Sequence, residues 1–409
     1  MWPLKIAWYR TFQAVFDIGA RFMPWRKAIT VEGAGSINEI PGLLTTLRVN
    51  RPLIVTDPGL MKAGISPRVL KVLDKAAFPY TLYDSVEANP SVHTVNTILQ
   101  LYVEEHCDGF IAIGGGSAID AAKAAAARAV NPKKSVNQLG GLLKVHRKLP
   151  PFIAVPTTAG TGSETTIAAL ITDTETHHKY AIMDLHLIPL YAVLDADLIV
   201  GLPPFITATT GMDTLTHAVE AYLCWTYNTK ESIRFAEDAV KLIFRYLERA
   251  WKDGHDIEAR EGMQTASYKA GFAFTRAGVG NVHAIAHTLG GLYNAAHGLA
   301  NAVILPVVLE DYGKKVFPKL ARLAELAGVA AAGDDADKAM AFIQSIRDMN
   351  ARMGIPAGFD FIKNEDIGQI VKWAGAETNP LYPVPVLYSP ERFRCVLQKL
   401  RVGDTVQKA

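Results

Sequence analysis

Cysteine is scarce in this chain: three residues among 409, Cys107, Cys224 and Cys395, far apart and without CxxC spacing. That excludes a disulfide framework and a thiolate metal site, and it fits a reducing compartment such as the cytoplasm. No uninterrupted apolar run reaches the roughly 20 residues of a membrane span. An excess of one charge is missing too. With 42 basic and 40 acidic residues, the formal charge of +2 gives no global reason to expect a nucleic-acid partner. There is no internal repeat, no low-complexity tract and no GxGxxG fingerprint, which weighs against a plain Rossmann signature. What remains, 49% hydrophobic and 20% charged, is an ordinary globular chain long enough for two domains.

The first 28 residues stand apart as an amphipathic extension. Lys5, Arg10, Arg21, Arg26 and Lys27 against Asp17 alone give them +4 and leave −2 for the remainder. Leu4, Trp8, Phe12, Val15, Phe16, Gly19, Phe22 and Met23 recur at helical spacing, which gathers them on one face. Charges interrupt the run, so a secretory signal fits poorly. Two readings stay open: a helix lying on a membrane surface, or one covering an apolar patch of its own fold or of a second subunit.

From residue 29 to 201 short β-rich runs (Leu53–Thr56, Tyr80–Tyr83, Phe110–Ile113, Phe152–Val155, Ala192–Leu194) alternate with helical patterns (Ser36–Val49, Pro67–Ala76, Ser91–Glu105, Ser117–Val130). That rhythm predicts a parallel sheet with crossover helices. The stretch Ile167–Met183 reads as a hairpin appended to the sheet, turning at 173–176, with His177 and His178 solvated in the turn. After Gly201-Leu202-Pro203-Pro204 the patterns are long and helical, so residues 202–409 form the second, all-helical domain.

Two loops follow apolar strands in the first half. Gly114-Gly115-Gly116-Ser117 lets a pyrophosphate approach bare backbone at a helix N-terminus. Ser117 either caps that helix or donates to phosphate, with Asp120 at capping-box spacing. The second loop, Thr157-Thr158-Ala159-Gly160-Thr161-Gly162-Ser163, offers hydroxyls where ligands of open α/β sheets sit. Asp57 is either a helix N-cap or a carboxylate for an adenosine ribose, favouring NAD over NADP. In the second half, Asp213 and His217 are i, i+4 on a helix; His283 and His287 repeat that relation, and Gly290-Gly291 lets the chain bend before His297. Imidazoles and a carboxylate without thiolate suit Fe(II), Zn, Mn or Co.

Those residues carry a resemblance. The chain resembles the iron-dependent (group III) alcohol dehydrogenase family over about residues 29–400, in Gly114–Lys123, Thr157–Glu164, Gly211–His217 and His283-x3-His287-x9-His297-Gly298. The resemblance implies an α/β nucleotide-binding N-terminal domain and an all-α metal-binding C-terminal domain, the dehydroquinate synthase-like architecture, with an active site in the cleft between them. It implies that Asp213, His217, His283 and His297 hold a divalent metal, Fe(II) first and Zn next, and that His287 transfers protons without being a ligand. Asp57, Asn89, Gly114, Gly115, Gly116, Ser117, Thr157, Thr158, Thr161, Ser163 and Lys179 would surround NAD, and Phe274 would line the substrate cleft. The implied reaction interconverts a primary alcohol and its aldehyde by hydride transfer with NAD(H), in a cytoplasmic homodimer or larger homo-oligomer. The rivals are a polyol or hydroxyacid dehydrogenase of the same superfamily and a non-catalytic metal- and nucleotide-binding protein. The 28-residue extension exceeds the usual family start and leaves peripheral membrane contact open.

Overall fold

The computed structural model describes residues 2–174, 178–329 and 332–402, except for the side chains of residues 178 and 179. Helix α1 (Trp2–Arg21) precedes β1 (Ile29–Glu32), α2 (Ile40–Thr46), β2 (Pro52–Val55), α3 (Pro58–Lys62), α4 (Ile65–Lys75) and β3 (Thr81–Tyr83). Next come α5 (Val92–Glu104), β4 (Gly109–Gly114), α6 (Gly116–Ala129), α7 (Val136–Leu139), β5 (Gly141–Leu142) and β6 (Phe152–Pro156). Strands β7 (Ala168–Asp173), β8 (His178–Met183) and β9 (Tyr191–Leu194) complete the α/β part. Helices then dominate: α8 (Pro204–Leu223), α9 (Lys230–Lys252), α10 (Ile257–Ala277), α11 (Asn281–Tyr293), α12 (His297–Tyr312), α13 (Phe317–Leu326), α14 (Asp335–Arg352), α15 (Ile367–Thr378) and α16 (Pro390–Leu400). The chain divides into two compact units, Pro24–Gly201 with His255–Gly271, and Met1–Met23 with Leu202–Gly254 and Phe272–Ala409.

In the first unit six parallel strands run in the order β1-β9-β6-β4-β2-β3. Both faces are covered, so the central strands are apolar throughout. Alternation splits their side chains: Leu53, Val55, Phe110, Ala112, Phe152 and Ala154 pack on one side, Ile54, Ile111, Ile113, Ile153 and Val155 on the other. Each fully buried aliphatic side chain contributes roughly 1.5–3 kcal/mol relative to exposure. Helix α6 buries Ala121, Ala122 and Ala124–Ala127, small side chains that let it lie close to the sheet, as the alanine run predicts.

Two expectations need correction. Strands β7 and β8 do form an antiparallel hairpin, but it belongs to a separate sheet ordered β5-β8-β7. Polar contacts to α6 hold it there: Leu170 N donates to Asp120 Oδ2 (3.0 Å) and Lys123 Nζ donates to Ala168 O (3.1 Å). Residue 177 and the His178 side chain lie outside the described residues. The bend before His297 is not at Gly290-Gly291, which stay helical within α11; Asn294, left-handed at φ 52°, ends that helix instead. On α1 the buried residues are Gln13, Asp17 and Ala20, whereas Leu4, Trp8, Val15 and Phe22 of the apolar set are exposed.

Candidate active site

Neighbouring strands β2 and β4 send the chain in opposite directions, to β3 on one side and β6 on the other. The crevice at the carboxyl ends of such a pair is where open α/β sheets take ligands. Asp57 follows β2 there. It accepts from Leu60 N (2.9 Å), so it is the N-cap of α3. A Cβ added at Gly114 would lie 2.5 Å from Ala118 Cβ, so only glycine lets α6 leave β4 this sharply. Helix α6 begins at Gly116 with Gly115 as its N-cap and no side chain capping it, which corrects the capping role considered for Ser117 and Asp120. Ser117 Oγ instead accepts from Asn89 N (3.4 Å), and Asp120 accepts from Ser163 Oγ and Leu170 N.

The hydroxyl loop closes over the glycines. A Cβ on Gly115 would meet Thr158 at 3.4 Å and one on Gly116 would meet Thr161 Cγ2 at 3.0 Å. Thr157 Oγ1 is buried without a hydrogen-bond partner. Bare backbone at a helix start, facing threonines and an unsatisfied hydroxyl, fits the pyrophosphate of a dinucleotide. Beneath the loop, Lys123 Nζ donates to Ser163 O (2.6 Å) and Thr166 O (2.9 Å). Burial pushes Lys123 down to about 8 and lifts Glu164 to about 7. Lys179 pairs through its backbone with Thr172 in the hairpin, and its side chain lies outside the described residues.

In the second unit, α8 carries Asp213, His217 and Glu220 on one face, α11 carries His283 and His287, and α12 opens with His297 and carries Asn301 one turn on. Gly298 permits the close crossing of α12 over α8, since a Cβ there would lie 2.4 Å from Thr209 O. Asp213, His217, His283 and His297 each offer one ligand atom, all within 4.8 Å of one another. Asp213 Oδ1 is 3.8 Å from His283 Nε2 and 3.5 Å from His297 Nε2, and Asp213 Oδ2 is 4.0 Å from His217 Nδ1. The ring of His217 is stacked between Phe274 (4.2 Å) and His283 (4.4 Å).

Glu220, given no role by sequence reasoning, is buried behind His283. It accepts from Gly280 N (2.8 Å), Val282 N (2.8 Å) and His283 Nδ1 (2.6 Å). Gly280 makes this possible, because a Cβ there would strike Glu220 Oε1 at 2.5 Å. Donating Nδ1–H to the carboxylate leaves the His283 Nε2 lone pair facing the cluster. Burial, with three neighbouring histidines, holds His283 well below its ordinary pKa, so it stays neutral. Burial also lifts Glu220 to about 8, although all three contacts donate to it and a proton there would face N–H groups. A cation held by the cluster would favour the charged form of Glu220.

Asn301, also missed from sequence, sets its Nδ2 2.6 Å from Asp213 Oδ1, 3.1 Å from His283 Nε2 and 3.2 Å from His297 Nε2, while its Oδ1 is buried without a partner. The acceptors thus converge on one point suited to positive charge, and the donor set fits a divalent ion of borderline softness. His287 stands beside the cluster, stacked on His297 (5.1 Å), with Nδ1 donating to Glu377 Oε1 (2.6 Å). Tyr382 Oη donates to the same oxygen (2.9 Å).

A convergent set of acceptors for a divalent ion, in a chain whose strand-end loops suit a dinucleotide, defines a metal-dependent oxidoreductase. Comparison with known proteins narrows the class. The family model "Iron-containing alcohol dehydrogenase" matches residues 28–196, and "Fe-containing alcohol dehydrogenase family, C-terminal" matches residues 207–392. The chain belongs to the iron-containing alcohol dehydrogenase family, whose members use NAD and iron. It is 41% identical over 295 residues to alcohol dehydrogenase 4 of Schizosaccharomyces pombe, covering 72% of this chain and 69% of the relative. It is 37% identical over 346 residues to the NAD-dependent methanol dehydrogenase of Bacillus methanolicus, covering 84% and 90%. The crystal structure of a 1,3-propanediol oxidoreductase superposes with a TM-score of 0.89 at 33% identity, covering 93% of this chain and all of that one. The fold class expected from the sequence is the one found. No described helix is long and apolar enough to cross a membrane.

Proposed function

We propose that the chain interconverts small primary alcohols and their aldehydes with NAD(H), using a divalent ion, Fe(II) before Zn, held by Asp213, His217, His283 and His297. The observation that carries this reading is the convergence of those four ligand atoms within 4.8 Å. When bound, the ion supplies a Lewis acid and NAD(H) a hydride acceptor or donor. The chain's own side chains do the rest. Asp213 contributes negative charge and is fixed by the Asn301 amide. Glu220 locks the His283 tautomer. His287, oriented through Nδ1 by Glu377, takes or returns the substrate proton at Nε2. Phe274 covers one face of His217 and keeps water from it.

In the other unit, Asn89, Gly114–Ser117, Thr157, Thr158 and Thr161 take the pyrophosphate and its neighbouring groups, Asp57 takes the adenosine ribose, and Ser163 and Lys179 complete the surround. The names of the methanol and propanediol relatives support a small primary alcohol as substrate. Assembly as a homodimer or larger homo-oligomer and a cytoplasmic location, with any membrane contact peripheral and made through α1, belong to the same proposal. The free thiols of Cys107, Cys224 and Cys395 support the location. The test is metal analysis of protein purified without air, coupled to an NAD(H) screen over alcohols and aldehydes. The expected result is about one divalent ion per chain and steady NADH formation from a primary alcohol. Binding of NAD without turnover of any alcohol or aldehyde would favour the non-catalytic reading and overturn this one.

A further inference from the structure

Helix α1 leaves a stripe of large apolar side chains outside its own fold. A helix resting on its own fold normally buries its apolar stripe and shows its polar side. Here the inward side is mixed: Gln13 and Asp17 are buried there beside Ala20, and Phe16 stacks on Tyr227 (5.3 Å). Gln13 is fully buried: its Nε2 donates to Pro380 O (2.9 Å) and Tyr382 O (2.7 Å), and its Oε1 accepts from Trp225 Nε1 (2.6 Å). Arg10 donates to Val384 O (2.8 Å) and Pro385 O (3.2 Å), and Asp17 is buried beneath its partner Arg21. These contacts hold the Gln13 side of the helix inward. Leu4, Trp8, Val15, Ile18 and Phe22 are consequently left 60–84% exposed along one outward stripe.

The charges around that stripe decide what covers it. The exposed charged residues between 2 and 27 are Lys5, Arg21 and Lys27, and no exposed acidic residue lies among them. A second copy of the helix would set Lys5 against Lys5 if parallel, or against Arg21, already paired with its own Asp17, if antiparallel, and in neither arrangement does an exposed carboxylate of the helix meet Lys5. An anionic bilayer accepts the same arrangement. Large apolar side chains enter the headgroup boundary, while lysine and arginine beside them meet lipid phosphate and carboxylate. We propose that α1 is a docking helix that lays its outward stripe on an anionic lipid surface and holds the metal-binding unit there. The proposal stands on the surface of α1 and does not depend on the hydride-transfer reading, so either can fail without the other.

The experiment is flotation of the full chain with phosphatidylcholine vesicles, with and without phosphatidylserine, at low and high salt, alongside sedimentation velocity. Binding is expected only when phosphatidylserine is present, and added salt should weaken it. The double variant Trp8→Glu with Ile18→Glu should lose at least about tenfold in vesicle affinity, and Lys5→Glu should lose less. Both sites are solvent-exposed, so thermal melting and alcohol dehydrogenase activity should stay at the parent's values. Failure of the parent to float with anionic vesicles, or flotation unchanged in the double variant, would overturn the proposal. So would a parent that ignores vesicles but falls to a smaller assembly in the double variant, which would assign the stripe to a second copy.

Discussion

Replacing Glu220 by Gln tests the reasoning about the candidate metal centre without touching a ligand. The carboxylate accepts three N–H groups, Gly280 N and His283 Nδ1 on Oε2 and Val282 N on Oε1. An amide keeps one acceptor oxygen and puts an NH2 group where the other stood. The cheaper orientation faces that NH2 toward Val282 N, leaving one buried donor pair unsatisfied, a cost of about 1–3 kcal/mol to the fold. His283 also loses a charged acceptor, so its Nε2 becomes a weaker and less firmly aimed donor to a cation. Loss of such a supporting carboxylate costs roughly 10–100-fold in metal affinity, or about 1.4–2.8 kcal/mol. The assay is competition for Fe(II) or Zn against a chelating dye, with thermal melting of metal-free protein in parallel. A variant that melts lower but binds metal as tightly as the parent would refute the link from Glu220 to the ligand and leave only a structural role.

Three further outcomes follow. His287→Ala should keep its metal but lose about 10²–10⁴-fold in turnover, whereas His283→Ala should lose metal as well; equal metal loss in both, measured by elemental analysis, would contradict the division of roles. Asp57→Asn keeps a side chain that caps α3, so stability should change by only a few tenths of a kcal/mol, while removal of the charge should raise the NADP-to-NAD ratio of kcat/KM; an unchanged ratio would make Asp57 a cap alone. Burial lifts Glu164 from 4.5 to about 7, so the folded chain keeps a proton that the unfolded chain releases. Its stabilising contribution is therefore full below pH 4.5 and lost as pH rises through about 7. Glu164→Gln should flatten the fall in melting temperature between pH 5 and 7, and curves parallel to the parent's would contradict the assignment.

Local spacing made much of this legible. Parallel strands announce themselves as short apolar runs because both faces are covered, and Asp213/His217 and His283/His287 announce a shared face because i and i+4 are one helical turn apart. Glu220 left a signal that could have been used: an acidic residue three positions after His217 and seven after Asp213, in an otherwise apolar stretch of α8. Asn301 left a weaker one, four residues beyond His297. Glu377 and Tyr382 left none, since 90 residues separate Glu377 from His287 and only the packing of α11 beside α15 joins them. Strand β1 was missed because four half-exposed residues at a sheet edge lack the apolar run of a central strand. Which side of α1 faces inward was illegible because Arg10 and Gln13 are satisfied by carbonyls more than 360 residues away.

X-ray absorption at the iron edge of protein loaded with one equivalent of Fe(II) without air tests the central claim most directly. One carboxylate from α8 and three imidazoles from α8, α11 and α12 predict a first shell of nitrogen and oxygen only, with the outer-shell scattering of about three imidazole rings. That ring signal should fall in His283→Ala and in His297→Ala. A shell containing sulfur, or a spectrum unchanged by either substitution, would contradict the account.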